Sequence, residues 1–120
     1  MTKTILIVED EALIRSLCAD VFREAGFNVL EADNGDHAMD VLGGQAPIDA
    51  IVSDIRMPGS IDGLALRREV ENRWPGTKML LTSGHMEVER SELSEDQAFI
   101  AKPYRFLELV RQVDDLLNQR

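Results

Sequence analysis

One cysteine, Cys18, stands among 120 residues. That excludes an intramolecular disulfide and a four-cysteine zinc site. Purely apolar runs stop at about four residues, as in Ile5-Leu6-Ile7-Val8, whereas a membrane-spanning helix needs ~20. The first residues lead straight into that run without a signal-peptide cleavage pattern. Basic residues are in the minority: 13 Lys and Arg face 22 Asp and Glu, a net charge of −9. Such a chain is poorly suited to bind nucleic acid or an anionic membrane through its own field. There is no P-loop, no Ser/Thr/Gly-rich phosphate loop after the first apolar run, no linker and no internal repeat. What is present is ordinary for a folded protein, with 44% hydrophobic and 29% charged residues. The length suits one domain with a sizeable core. A single domain over residues 1–120 in the cytoplasm is the simplest expectation.

The chain alternates between two kinds of segment. Residues 5–8, 27–32, 50–53, 79–81 and 99–101 are short apolar stretches that read as buried parallel strands. Between them lie helical patterns. Leu13, Ile14, Leu17, Cys18, Val21 and Phe22 recur at helical spacing, and Gly26 closes that helix. Ala38, Val41 and Leu42 mark a short helix ended by Gly43-Gly44, and residues 63–73 a third, stopped by Trp74-Pro75-Gly76. Leu107, Val110, Val113 and Leu117 are expected to line one face of the closing helix. Residues 83–97 are polar and read as a short or irregular helix. Strands alternating with helices imply an α/β fold with both sheet faces covered. With right-handed crossovers, five units fit a doubly wound parallel sheet in the order 2-1-3-4-5.

Ligands of such sheets lie beyond the carboxyl ends of the strands, where the strand order reverses. The residues at those ends are Glu9, Asp10 and Glu11 after strand 1, Asp54 after strand 3, Thr82-Ser83 after strand 4 and Lys102-Pro103 after strand 5. Glu9, Asp10 and Asp54 should repel one another there. Lys102 or a hard divalent cation would relieve them, and Mg2+ suits one or two carboxylates plus waters and a phosphate oxygen. Singly, Asp10 reads as a helix cap, Asp54 as a turn residue, Thr82 as a strand residue and Lys102 as a solvated charge. Jointly they put acids, a hydroxyl and a lysine on one rim.

The stretches Ile5-Leu6-Ile7-Val8-Glu9-Asp10-Glu11, Asp54-Ile55-Arg56-Met57-Pro58, Leu81-Thr82-Ser83 and Lys102-Pro103-Tyr104 resemble a response-regulator receiver domain of two-component signalling. The resemblance covers essentially the whole chain and implies a (βα)5 flavodoxin-like receiver fold. It makes Asp54 the phosphoacceptor, served by a histidine kinase or histidine phosphotransfer protein. It makes Asp10, Asp54 and the Arg56 carbonyl Mg2+ ligands, with Glu9 acting through water. It pairs Lys102 with the phosphoryl oxygens, makes Thr82 and Phe99 switch residues, and implies a cis Lys102-Pro103 bond. Since the sequence runs from Met1 to just past the last helical pattern, a stand-alone phosphorylation switch, a monomer or weak homodimer, is expected, with a fragment of a larger regulator or hybrid kinase as the alternative. Its output would run through a downstream protein partner, without direct nucleic-acid or membrane binding.

Four departures from the family pattern stand out. The loop between Pro58 and Asp62-Gly63 has one extra residue, expected to shift the start of the third helix and leave Asp54 alone. Glu9 replaces the commoner aspartate. Phe99 cannot donate a hydrogen bond as a tyrosine would. The stretch from Thr82 to Lys102 is slightly short, which suggests a mobile or remodelled output face. Two rival readings remain: a phosphorylation-inactive docking module, and a Mg2+-dependent aspartyl phosphatase of the haloacid dehalogenase type. Against the second, Arg56 occupies the position of that family's second aspartate, and the chain has no room for a cap domain.

Overall fold

The computed structural model describes residues 2–44, 46–84 and 92–119. Among them the chain runs β1 (Thr4–Val8), α1 (Ala12–Glu24), β2 (Asn28–Ala32), α2 (Gly35–Leu42), β3 (Ala50–Asp54), α3 (Gly63–Arg73), β4 (Lys78–Ser83), β5 (Gln97–Ala101) and α4 (Phe106–Leu117). All neighbouring strands pair in parallel, in the order β2-β1-β3-β4-β5. The doubly wound sheet expected from the alternation is present. The expected irregular helix, and the remodelled face with it, falls mainly on residues 85–91, outside the described residues.

Side chains alternate between the faces of a strand, and in the central strands both sets are apolar. Leu6 and Val8 of β1 join Ile51, Met79 and Leu81 on one face, where Ala38 and Leu42 of α2 and Leu66 and Val70 of α3 cover them. Ile5 and Ile7 join Ala50, Val52 and Leu80 on the other, under Cys18 and Phe22 of α1 and Leu109, Val113 and Leu116 of α4. Continuous burial on both faces is why these strands read as unbroken apolar runs.

Two helix faces differ from the sequence reading. Leu13 and Leu17 of α1 are exposed and the buried set is Cys18, Ala19 and Phe22; in the last helix Leu107 is exposed and the buried set is Leu109, Val113 and Leu116. Asp10 does not cap α1 either. The N-cap position is Glu11, without a side-chain cap bond. The extra loop residue is accommodated before α3, which starts at Gly63 with the Asp62 carboxylate accepting from the Ala65 N–H at 2.9 Å. The loop is tied to α2 by the Ser60 hydroxyl, which donates to Asp36 at 2.9 Å.

Candidate functional site

The registers assemble the rim. Val8 of β1 lies opposite Ser53 of β3, so Glu9 continues past the sheet beside Asp54. Asp54 in turn lies opposite Thr82 of β4, and the Ile55 N–H donates to the Thr82 carbonyl at 2.9 Å. Ser83 lies opposite Ala101, and the Lys102 N–H donates to the Ser83 carbonyl at 2.9 Å. Four strand ends thus bring an acid pair, an acid, a hydroxyl and a lysine to the place where the strand order reverses.

Glu9 and Asp54 are buried and Asp10 is exposed, and one carboxylate oxygen from each lies within 4.8 Å of the others. Lys102 Nζ donates to Asp54 Oδ2 at 2.8 Å and lies 3.7 Å from Glu9 Oε1. Burial pushes the Glu9 carboxyl up to about 7. The Glu11 N–H and the Lys102 charge pull it back, while Asp10 and Asp54 push it further up. Burial works against the Lys102 charge, but the hydrogen bond and charge of Asp54, with Glu9 and Glu11, outweigh it and raise its pKa. Among the described residues, Lys102 is the cation that pairs with this cluster of three acids. A divalent ion taking oxygen ligands fits that donor set, since it needs carboxylates and water and neither imidazole nor thiolate.

The other expected positions are also placed. The Thr82 side chain is buried. Arg56 is exposed and, with Asp10, Met57, Pro58 and Asp62, lines an open cavity of about 420 Å³ beside the acids. Phe99 is half-buried in β5, packs against the core on the α2–α3 side, and lines a cavity of about 460 Å³ with Leu93 and Gln112. The Lys102-Pro103 bond is cis. Cys18 is buried beside Tyr104, and desolvation pushes its thiol up to about 11, so it is an inert core group. His37 is exposed.

The sequence reading missed Arg15. Its guanidinium reaches back from α1 and donates to the Glu9 carbonyl at 2.8 Å. The only signal was its place one helical turn after Glu11, which many surface arginines share.

Comparisons with known proteins show the family of this fold. The family model for the response regulator receiver domain matches residues 5–114. A putative NtrX-like response regulator of Rickettsia conorii is 38% identical over 86 residues, 71% of this chain and 18% of that protein. The aerobic respiration control protein ArcA of Escherichia coli is 33% identical over 121 residues, 98% of this chain and 50% of that protein. The chain spans half or less of these relatives. A response regulator receiver protein of Sinorhizobium medicae superposes with a TM-score of 0.88 at 30% identity, covering 98% of this chain and 95% of that one. Among the described residues no helix is long and apolar enough to cross a membrane. A family match over nearly the whole chain, on a sheet of this order with its acids at the switch point, means that the chain belongs to the receiver domains of two-component response regulators.

Proposed function

We propose that Asp54 accepts a phosphoryl group from a histidine kinase or histidine phosphotransfer protein, and that the phosphorylated domain signals through contacts with a downstream protein. The observation that carries this reading is the 2.8 Å bond from Lys102 to Asp54, with Glu9 and Asp10 completing the acidic cluster around it. Attack by an Asp54 oxygen on phosphorus forms the acyl phosphate as the phosphorus–nitrogen bond of a phosphohistidine breaks and the imidazole leaves. Repulsion between a carboxylate and a phosphoryl group opposes that approach. Asp10, Asp54 and the Arg56 carbonyl would hold Mg2+, with Glu9 acting through water, and the ion would supply positive charge to the phosphoryl oxygens.

This chain's own residues do the rest. Lys102 offers its ammonium to an incoming phosphoryl oxygen. Thr82, next to Asp54 across the sheet, supplies a hydroxyl. The acyl phosphate adds a charge of roughly −1.5 to −2. A Thr82 hydroxyl drawn toward it vacates space that Phe99 fills, which is a two-state element biased by local charge. The domain acts in the cytoplasm as a monomer or weak homodimer, promotes its own phosphorylation and dephosphorylation, and touches neither nucleic acid nor membrane directly.

The test is the intact-protein mass after incubation with Mg2+ and acetyl phosphate. A single phosphoryl adduct is expected, absent from Asp54→Ala and absent without Mg2+. No adduct in a protein shown separately to bind Mg2+ overturns self-catalysed phosphorylation and favours a docking module.

A further inference from the structure

We infer that Arg15 is a positioning residue for the metal: it fixes the peptide plane that aims Asp10 into the acidic cluster. The inference rests on the Mg2+ reading of that cluster. Glu9 is the first residue beyond β1, where the paired registers of β1 end at Val8. Its N–H still finds the Ala32 carbonyl of β2 at 3.0 Å. Its carbonyl lies past the ladder and accepts from Arg15 Nη1 at 2.8 Å.

The Glu9 carbonyl and the Asp10 N–H belong to one rigid peptide unit. Fixing the carbonyl therefore fixes the direction in which the chain leaves for Asp10. Asp10 is exposed and is not the helix cap, and the side-chain contact it makes is with the Glu9 carboxyl of the same cluster. Arg15 is itself braced, with Nε 3.5 Å from Glu31 Oε1 of β2 and only 21% of its side chain exposed. The same guanidinium thus spans Glu31 and the Glu9 carbonyl. A lysine, with one compact charge and no fork, cannot hold both in that geometry. Outer contacts that orient metal ligands commonly matter about 10–100-fold in metal affinity.

Charge and geometry predict opposite signs. Removing the positive charge of Arg15 from α1 favours Mg2+ binding by Coulomb's law. Releasing the Glu9–Asp10 peptide weakens it. Mg2+ titrations followed by calorimetry on wild type, Arg15→Lys, Arg15→Ala and Arg23→Ala separate the two. Arg23 also pairs with Glu31, at 3.2 Å, but makes its contacts at the surface.

The expected result is a Kd for Mg2+ raised about tenfold in Arg15→Ala and severalfold in Arg15→Lys, and unchanged in Arg23→Ala. Phosphorylation by acetyl phosphate should return to within about twofold of wild type at saturating Mg2+, the pattern of lost binding and not of lost chemistry. A second readout needs no metal. The Asp10 amide resonance in the metal-free protein should shift in both Arg15 variants and stay in Arg23→Ala. A Kd that is unchanged or tighter in Arg15→Ala, with Arg15→Lys like wild type, overturns the inference. If wild type itself binds no Mg2+, the metal reading fails, and the Asp10 amide alone then reports on the contact. Should Arg15→Ala not fold, Arg15→Lys decides.

Discussion

At the scale of single residues the site is defined by a charge held where water is scarce. Glu9 is 5% exposed, and burial is the largest reason that its carboxyl titrates near 7 in place of the ordinary 4.5. An acid whose pKa is raised by folding binds its proton more tightly in the folded state. Its contribution to stability is fully present below about pH 4.5 and is lost as the pH rises through about 7. Glu9→Gln keeps the shape and removes the titration. In metal-free protein, wild type should lose about 1–3 kcal/mol between pH 5 and pH 8 relative to Glu9→Gln. Urea unfolding at the two pH values measures that difference, and equal slopes for both proteins would contradict the assignment of the buried charge to Glu9.

At the scale of elements, legibility depended on which physical rule wrote the pattern. Strands buried on both faces must be apolar throughout, so residues 5–8 and 50–53 announced themselves. Asp54, Thr82 and Lys102 were legible as a group because they follow those strands. Helix faces were harder. A leucine at helical spacing shows that a stripe exists but not where its centre lies. Leu13 is about 180° around the helix from Phe22, and Leu107 is about 180° from Leu116, so each points away from the core its neighbours fill. The small Ala19, outside the expected apolar stripe, is buried. Contacts such as Arg15 to Glu9 and Ser60 to Asp36 depend on how a helix or loop lies across another element, which no local pattern encodes. One such approach has a sharp consequence. A Cβ on Gly63 would sit 2.4 Å from the Asp54 carbonyl oxygen and 2.6 Å from Ile55 Cα, both backbone atoms. Gly63→Ala must push α3 off the end of β3. A loss of about 2–4 kcal/mol is expected. Gly43→Ala, at φ −76° with its nearest contact at 3.4 Å, should change stability by less than about 0.5 kcal/mol. Thermal unfolding of the pair checks this, and a tolerant Gly63 would mean that α3 is not seated by that contact.

At the scale of the whole molecule, a net charge of −9 makes two kinds of repulsion, and salt and Mg2+ tell them apart. General repulsion over the surface is screened by any salt, over a Debye length of about 10 Å at 0.1 M. Repulsion among Glu9, Asp10 and Asp54 is local and partly buried, so screening reaches it poorly. An ion bound at those acids in the folded state alone stabilises by mass action, about 2.7 kcal/mol at a concentration 100 times its Kd. At fixed ionic strength, replacing KCl by saturating MgCl2 should therefore raise the Tm of wild type by roughly 10 °C. Asp10→Asn removes one carboxylate of the cluster at an exposed position and should fold normally. Its response to KCl should match that of wild type, since the surface is otherwise the same, while most of the extra response to Mg2+ should vanish. Equal Mg2+ responses in the two proteins would place the ion elsewhere on the acidic surface and detach it from the chemistry of Asp54. A lost Mg2+ response with an intact KCl response ties the metal to the rim where β1 and β3 end, where Glu9, Asp10 and Asp54 gather charge that Lys102 only partly answers.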